Sequence, residues 1–170
     1  MEQKRENLLK EVGINIPLEN MTEKAWMRIS KYEDLTEEFI IEFKMFLFWS
    51  NITLYSKLTN KILLECQHFI DWDILSESKD LSEEFIEEYA DKLTWQLLSV
   101  FQKMSDEFLI KHKDKMIWVW YFKHQVASYP IVKKFITRTH FENVDQFNAT
   151  GLTEIQKIEI DRLLKLKYMF

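Results

Sequence analysis

The chain has 170 residues, of which 46% are hydrophobic, 15% aromatic and 30% charged, with a formal net charge of -5 at pH 7. This length and apolar content are typical of a single globular domain with a real core, and they exclude an intrinsically disordered chain. Only two glycines and two prolines are present. They leave little turn material for a β-sandwich, a barrel or a glycine-rich α/β sheet, so an all-helical fold is favoured.

The N-terminal segment, residues 1–25, is expected to cap the fold. Residues 2–12 predict a helix with one polar face and with Leu8, Leu9 and Val12 directed inward. Gly13 follows, and it predicts a left-handed residue that ends the helix.

The same segment bears on localisation. It carries charges throughout and lacks the apolar stretch of a signal peptide. A single cysteine, Cys66, cannot form an internal disulfide, which favours a reducing compartment. The apolar runs at Met45 and Met116 are too short to cross a bilayer. We therefore predict a cytoplasmic protein with no membrane contact.

Tryptophan recurs every 23 residues through the middle of the chain and marks a tandem repeat. The residues that set this period are Trp26, Trp49, Trp72, Trp95 and Trp118, and Phe141 lies a further 23 residues on. The register holds over five repeats, 26–140, and slips after Gly151 within a divergent sixth repeat and C-terminal cap, 141–170. All 170 residues are expected to form one domain.

The phrase "LSEEFI" at Leu81, with "LTEEFI" at Leu35, is a helix-start signal. With each tryptophan counted as position 0, position 10 is Ser or Thr in all five repeats, the preferred N-cap residue. Acidic residues usually follow, where they complement the helix dipole. Apolar residues at positions 13, 14, 17 and 21 then form one helical stripe.

A second helix is predicted to begin at each tryptophan, with apolar residues at positions 0, 3 and often 6. Trp95, Leu98 and Phe101 follow this pattern, as do Trp49, Ile52 and Tyr55. Helices this short are stable only when packed. We therefore predict an α-solenoid of about five to six two-helix repeats, closed at its C-terminal end by a helix that starts near Thr153.

The "LSEEFI" and "LTEEFI" cores, with a tryptophan about ten residues after the phenylalanine and the linker "DKLTW", resemble short helical repeats in proteins of bacteriophages and of some large DNA viruses. The similarity covers roughly residues 26 to 140. Residues 60–61 and 129–130 depart from the acidic pair of that pattern. The resemblance implies a phage- or virus-encoded chain that binds a host protein, for example to inhibit a defence system in the host cytoplasm.

No catalytic constellation is present. The sequence has no P-loop, dinucleotide fingerprint, nucleophile elbow or zincin helix, so we predict no enzyme activity, no small-molecule substrate, no cofactor and no metal. His112 and Cys66 occupy a core position of the repeat, which favours burial over metal binding or a reactive thiol. The regular tryptophans could stack on nucleic-acid bases, but their spacing favours a place in the core.

Charge is distributed unevenly. Residues 72–94 carry eight acidic and two basic residues, whereas 118–140 carry four basic residues and no acid. Glu83, Glu84, Glu87 and Glu88 form either a solvated helix face or a contact for a basic partner. Basic residues of repeats four and five form either a solvated face or a phosphate-binding strip. The basic residues that we single out are Lys123, Lys133, Lys134 and Arg138, with Lys111, Lys113 and Lys115 nearby.

Repeat five breaks the rule of its neighbours by gaining three aromatic residues, Trp120, Phe122 and Tyr129. Beside basic side chains they resemble a binding hot spot, and the alternative is packing against the C-terminal helix. We predict a non-enzymatic protein that binds a host protein through this repeat, by occlusion or scaffolding. The alternative is a nucleic-acid-binding protein that uses the lysines of repeats four and five.

Overall fold

The computed structural model describes residues 2–32, 34–78, 80–137 and 152–167. Over these residues the chain is all-helical and contains no strand, with helix pairs packed in a repeated arrangement, which confirms the predicted fold class. The chain divides into two compact units, residues 1–75 and 76–170, called here the N-terminal and C-terminal units.

Twelve α-helices are present in the described residues, and most are six or seven residues long. They are α1 (Glu2–Glu11), α2 (Glu23–Ile29), α3 (Glu37–Glu42), α4 (Trp49–Tyr55), α5 (Asn60–Glu65), α6 (Trp72–Ser78), α7 (Glu83–Glu88), α8 (Trp95–Phe101), α9 (Asp106–Lys111), α10 (Trp118–His124), α11 (Tyr129–Phe135) and α12 (Glu154–Lys167). A short 3₁₀ turn covers Leu18–Asn20. Helices α3, α5, α7, α9 and α11 are the first helices of their repeats, and α2, α4, α6, α8 and α10 are the second helices.

The first helices begin where the sequence predicts. In each, the Ser or Thr hydroxyl at position 10 accepts a hydrogen bond from the backbone N–H three residues later. The N–H groups at a helix start have no partner within the helix, so this side-chain acceptor stabilises the first turn. The helices end earlier than expected, at position 16 or 17, yet position 21 stays buried beyond their ends at Leu47, Ile70, Leu93 and Met116.

Helices that occupy the same place in successive repeats pack against each other. In the N-terminal unit α3 packs on α5, and in the C-terminal unit α9 packs on α11 and α8 on α10. Helix α1 packs on α3 and so takes the place of a preceding first helix. Its ion pairs, Lys4–Glu38 at 2.8 Å and Arg5–Glu42 at 2.6 Å, hold it there. The capping role of residues 1–25 stays a prediction.

The end of α1 also matches the prediction. Gly13 has a φ of 77°, and the Ile14 N–H donates to the Leu9 carbonyl at 2.8 Å. This bond closes a Schellman-type helix end, which needs the left-handed conformation that glycine adopts without strain.

Each unit has its own apolar core. In the N-terminal unit it is built around Phe39, Ile40 and Phe43 and includes Cys66, whose burial raises the pKa of the thiol. In the C-terminal unit the core is built around Leu109 and Ile131 and includes Ile160 of α12. No helix in the described ranges has the length and apolar content needed to span a bilayer.

The tryptophan column is less deeply buried than its regularity suggests. Trp26 is only 5% exposed, whereas Trp49, Trp72, Trp95 and Trp118 are half-buried. Each of these four donates its indole N–H to the carbonyl five residues earlier, at 2.8 to 3.2 Å. The indole therefore joins the loop before a second helix to that helix, a polar role that the sequence pattern does not reveal.

A buried hydroxyl at position 4 of α2, α4, α6 and α8 holds the next repeat. The N–H of the residue before the next tryptophan donates to this oxygen, as Phe48 does to Ser30 at 2.9 Å and Ile117 does to Ser99 at 3.1 Å. Thr53 and Ser76 accept the equivalent bonds from Asp71 and Thr94. All four hydroxyl residues are fully buried. An N–H at the start of a helix thus receives its acceptor from the preceding repeat.

Candidate protein-binding surface

The second helices direct rings outward at position 6. Tyr32 and Tyr55 in the N-terminal unit, and Phe101 and His124 in the C-terminal unit, are all exposed. Tyr55 and Phe101, which share an apolar pattern with positions 0 and 3, therefore do not lie on the same face as those positions. Positions 0, 3, 4 and 7 define the buried face, and position 6 lies about 110° from its centre at 100° per residue.

In the C-terminal unit these outward residues form a surface on α10 and the adjacent α8. We call it the α10 surface and define it by five residues: Phe101, Val119, Trp120, Lys123 and His124. Phe101 is 46% exposed and Val119 43%, and Trp120 is half-buried. The Trp120 ring stacks on His124 at 5.8 Å between centroids, and the Lys123 Nζ lies 5.3 Å from the Trp120 centroid.

The electrostatics of this surface have one sign. The segment from residue 118 to 137 contains no acidic residue. Lys123 is exposed on this surface, and Lys134 is exposed on α11, where its Nζ lies 5.5 Å from the Phe135 ring. A cation over an aromatic face is attracted by the ring quadrupole, so the lysines cover the rings without neutralising the positive field.

Phe122 does not belong to this surface. It is only 3% exposed and packs with Trp118, at 5.7 Å between ring centroids, in the core of the C-terminal unit. The sequence marked it because it replaces the hydroxyl of position 4, but position 4 faces inward whatever residue occupies it. The neighbouring Tyr121 is buried too, and burial raises its pKa to about 12.

Tyr129 and Lys133 contact the C-terminal helix instead of facing solvent freely. The Lys133 Nζ pairs with Glu159 of α12 at 2.9 Å, and the Glu159 carboxylate raises the pKa of the Tyr129 hydroxyl. These contacts favour packing against the C-terminal helix for this part of repeat five. Lys134 is exposed, and Arg138 lies outside the described residues.

The four glutamates that the sequence singled out on α7 have two different environments. Glu83 accepts from the Ser105 backbone N–H at 2.5 Å and from its hydroxyl at 3.1 Å, and Glu87 lies 2.8 Å from the Lys111 Nζ and 2.7 Å from the His112 ring. These two glutamates therefore link repeat three to repeat four. Glu84 and Glu88 are exposed on the outer side of α7.

Three of the six described lysines in the proposed phosphate-binding strip pair with carboxylates. Lys111 pairs with Glu87, and Lys115 lies 3.5 Å from Asp91 and 5.3 Å from the Trp95 centroid. Lys133 pairs with Glu159, whereas Lys113, Lys123 and Lys134 are exposed. This arrangement weakens the case for a nucleic-acid interface.

His112 is a core residue, as the repeat predicts. Its side chain is 10% exposed, and its ring lies 4.4 Å from Phe108 and 5.1 Å from Trp95 between centroids. Among the described residues no group of three His, Cys, Asp or Glu side chains is arranged to hold a metal ion.

Acid should weaken the links between repeats. The Thr59 hydroxyl, with Lys61 beside it, lowers the pKa of Glu37, and Lys111 with His112 lowers the pKa of Glu87. In the folded protein both carboxylates have a pKa below the ordinary value of a glutamate. Their stabilisation is therefore complete above the ordinary pKa and is lost as the pH falls through the lower folded value.

We expect the thermal midpoint to fall as the pH is lowered from about 5 to about 3, and to fall less steeply in Glu37→Gln and Glu87→Gln. Glutamine keeps an acceptor but takes up no proton. Glu88→Gln, on the outer side of α7, is a control for the loss of a negative charge outside the inter-repeat links. Unchanged steepness in both link variants would show that these carboxylates do not couple folding to pH.

The sequence pointed to α10 through Trp120 and Lys123 but missed Phe101, Val119 and His124. Their signal is present in the sequence, as a large apolar or aromatic residue at position 1 or 6, but nothing in the repeat pattern marks these positions as exposed. No family model, curated protein or solved structure matches this chain.

Proposed function

We propose that this chain is a non-enzymatic protein-binding repeat protein that attaches to a host protein through the α10 surface. The chain is encoded by a phage or virus and acts in the cytoplasm of the host, either by covering a site on that partner or by scaffolding it. The partner presents acidic and apolar side chains, because the α10 surface is basic, aromatic and free of acid.

One observation carries the proposal. Phe101, Val119, Trp120 and His124 are exposed or half-exposed on packed helices whose inward residues already complete the core. The exposure of these side chains contributes neither to the packing of the repeats nor to the packing of α12. Interface hot spots are rich in aromatic and basic residues, and a few such residues supply most of the affinity. The α10 surface presents residues of these types on packed helices.

Nucleic-acid binding is the competing function. Lys113, Lys123 and Lys134 are exposed and could contact phosphates, but Lys111, Lys115 and Lys133 already pair with carboxylates. A phosphate-binding surface gains affinity from each free cation, so it would be reduced here to a few contacts.

The test is affinity capture from a host-cell lysate with the immobilised chain, read by quantitative mass spectrometry over a series of wash salts. We expect one host protein to be retained by wild type and lost on Trp120→Ala and Lys123→Glu, by roughly tenfold or more for a hot-spot residue. Tyr55→Ala is the matched control. It removes an exposed ring at position 6 of the N-terminal unit and should leave retention unchanged.

Circular dichroism of each variant separates lost binding from lost folding. Equal loss in Tyr55→Ala and Trp120→Ala would move the binding site away from the α10 surface. Salt-sensitive retention of DNA or RNA, abolished by Lys133→Glu with Lys134→Glu, would assign the protein to the nucleic-acid class instead.

A further inference from the structure

Helix α12 is apolar on two opposite faces. Its inner face places Ile160 and Leu164 in the core of the C-terminal unit. Its other face exposes four large apolar side chains, Ile155 at 78%, Ile158 at 53%, Leu163 at 38% and Leu166 at 65%, called here the outer stripe. A helix that only capped the fold would need a polar outer face. The outer stripe therefore indicates a second contact.

The net charge of α12 changes sign along its length. Its first half contains Glu154, Lys157 and Glu159 and has a net charge of -1, and its second half contains Asp161, Arg162, Lys165 and Lys167 and has a net charge of +2. Within the helix Glu154 pairs with Lys157 at 2.8 Å and Asp161 with Lys165 at 2.7 Å. Two such helices side by side and parallel would place halves of like net charge together, whereas two antiparallel helices would place the negative half of one beside the positive half of the other.

We propose that α12 pairs with α12 of a second copy of this chain, antiparallel, about a two-fold axis at the level between Ile160 and Asp161. At 1.5 Å of rise per residue, this register puts Ile155 level with Leu166 of the second copy and Ile158 level with Leu163. The same register puts Glu154 beside the Lys165–Lys167 end of the second copy. Each apolar residue meets another, and each charged end meets its opposite, which is the self-complementarity that a two-fold interface requires.

The dimer is weak. Each copy contributes one helix of 14 residues, and its outer stripe buries less than the roughly 800 Å² per partner of a standard interface. We expect a monomer–dimer equilibrium between micromolar and millimolar concentration. Binding through the α10 surface uses other residues, so this proposal stands or fails independently of the proposed function.

Sedimentation equilibrium over that concentration range tests the pairing. The weight-average mass of the wild type should rise toward two chains, and Leu166→Glu should remain at one chain because it puts a charge opposite Ile155 of the second copy. Leu64→Glu is the matched control, since Leu64 is equally exposed, at 70%, on α5 of the N-terminal unit. A wild type that stays monomeric, or a Leu166→Glu variant that associates like the wild type, overturns the proposal.

Charge exchange tests the direction of the pairing. Glu154→Lys should weaken association, and Glu154→Lys combined with Lys165→Glu should restore it, because the antiparallel register brings the two exchanged positions together. A parallel pair would not be restored, and that result would contradict the register.

Cysteine cross-linking tests the register itself. Under a mild oxidant, a mixture of Ile155→Cys and Leu166→Cys chains should form a disulfide dimer between the two variants. Neither variant should form a disulfide dimer alone, since Ile155 lies about 16 Å along the helix axis from Ile155 of the second copy. The native Cys66 is buried, so the unmodified chain is the blank. Cross-linking of one variant with itself, or a monomer that binds lipid vesicles through Leu166, would assign the outer stripe to another occupant.

Discussion

Replacing Trp26 with alanine is expected to destabilise the N-terminal unit by about 3 to 5 kcal/mol. Trp26 is the most buried tryptophan among the described residues, and its ring lies 5.1 Å from Phe43 and 5.2 Å from Phe46 between centroids. Alanine removes these contacts and leaves a cavity that a core of short helices cannot fill without moving the repeats. Urea unfolding followed by far-ultraviolet circular dichroism gives the change in the free energy of unfolding.

The matched control is Met27→Ala, one residue along the same helix. Met27 is 41% exposed, so its truncation should change the free energy of unfolding by less than about 0.5 kcal/mol. Equal effects of the two substitutions would mean that the tryptophan column does not support the core.

Replacing Ser99 with valine is expected to cost about 1 to 3 kcal/mol of folding stability in the C-terminal unit. The Ser99 hydroxyl accepts from the Ile117 N–H at 3.1 Å and donates to the Trp95 carbonyl at 2.7 Å. Valine adds a methyl group to the volume of serine and leaves the Ile117 N–H, at the start of α10, without its acceptor. The measurement is again the free energy of unfolding, with the thermal midpoint as a second reading.

Ser99→Thr separates the hydroxyl from the volume. Threonine has the shape of valine and keeps the oxygen, and Thr53 already occupies the equivalent position in repeat two. We expect the threonine variant to remain close to wild type in stability. A threonine variant as unstable as the valine variant would indicate that crowding, and not the hydrogen bond, decides the outcome at this position.

The sequence was a reliable guide to the local structure of the repeats. A hydroxyl residue at position 10 followed by apolar residues at positions 13 and 14 determines where a short helix starts and which face it buries, because both signals are local. Gly13 likewise predicted its own left-handed conformation. The same locality explains the success at His112 and Cys66, whose repeat position is buried at Phe43 and half-buried at Tyr89 and Phe135.

The candidate site was harder to predict because it depends on which side of a helix faces out. Position 6 shares its apolar character with positions 0 and 3, and only the buried residues at positions 4 and 7 shift the core face away from it. Phe122 shows the converse case, a large residue that replaces a small one without leaving the core. Contacts such as Lys133 with Glu159 join residues 26 apart in the chain, and no repeat column contains the partner.

The carboxylate at position 11 has a bearing on how such a chain can lengthen. Glu37 accepts from the Thr59 hydroxyl and Asp106 from Ser128, so a repeat supplies an acceptor for the cap of the repeat after it. A duplicated block of 23 residues would bring its own donor and its own acceptor, and both new junctions would be satisfied at once. An insertion of any other size would leave one cap and one carboxylate unmatched, which makes whole-repeat duplication the change in length that this architecture tolerates best.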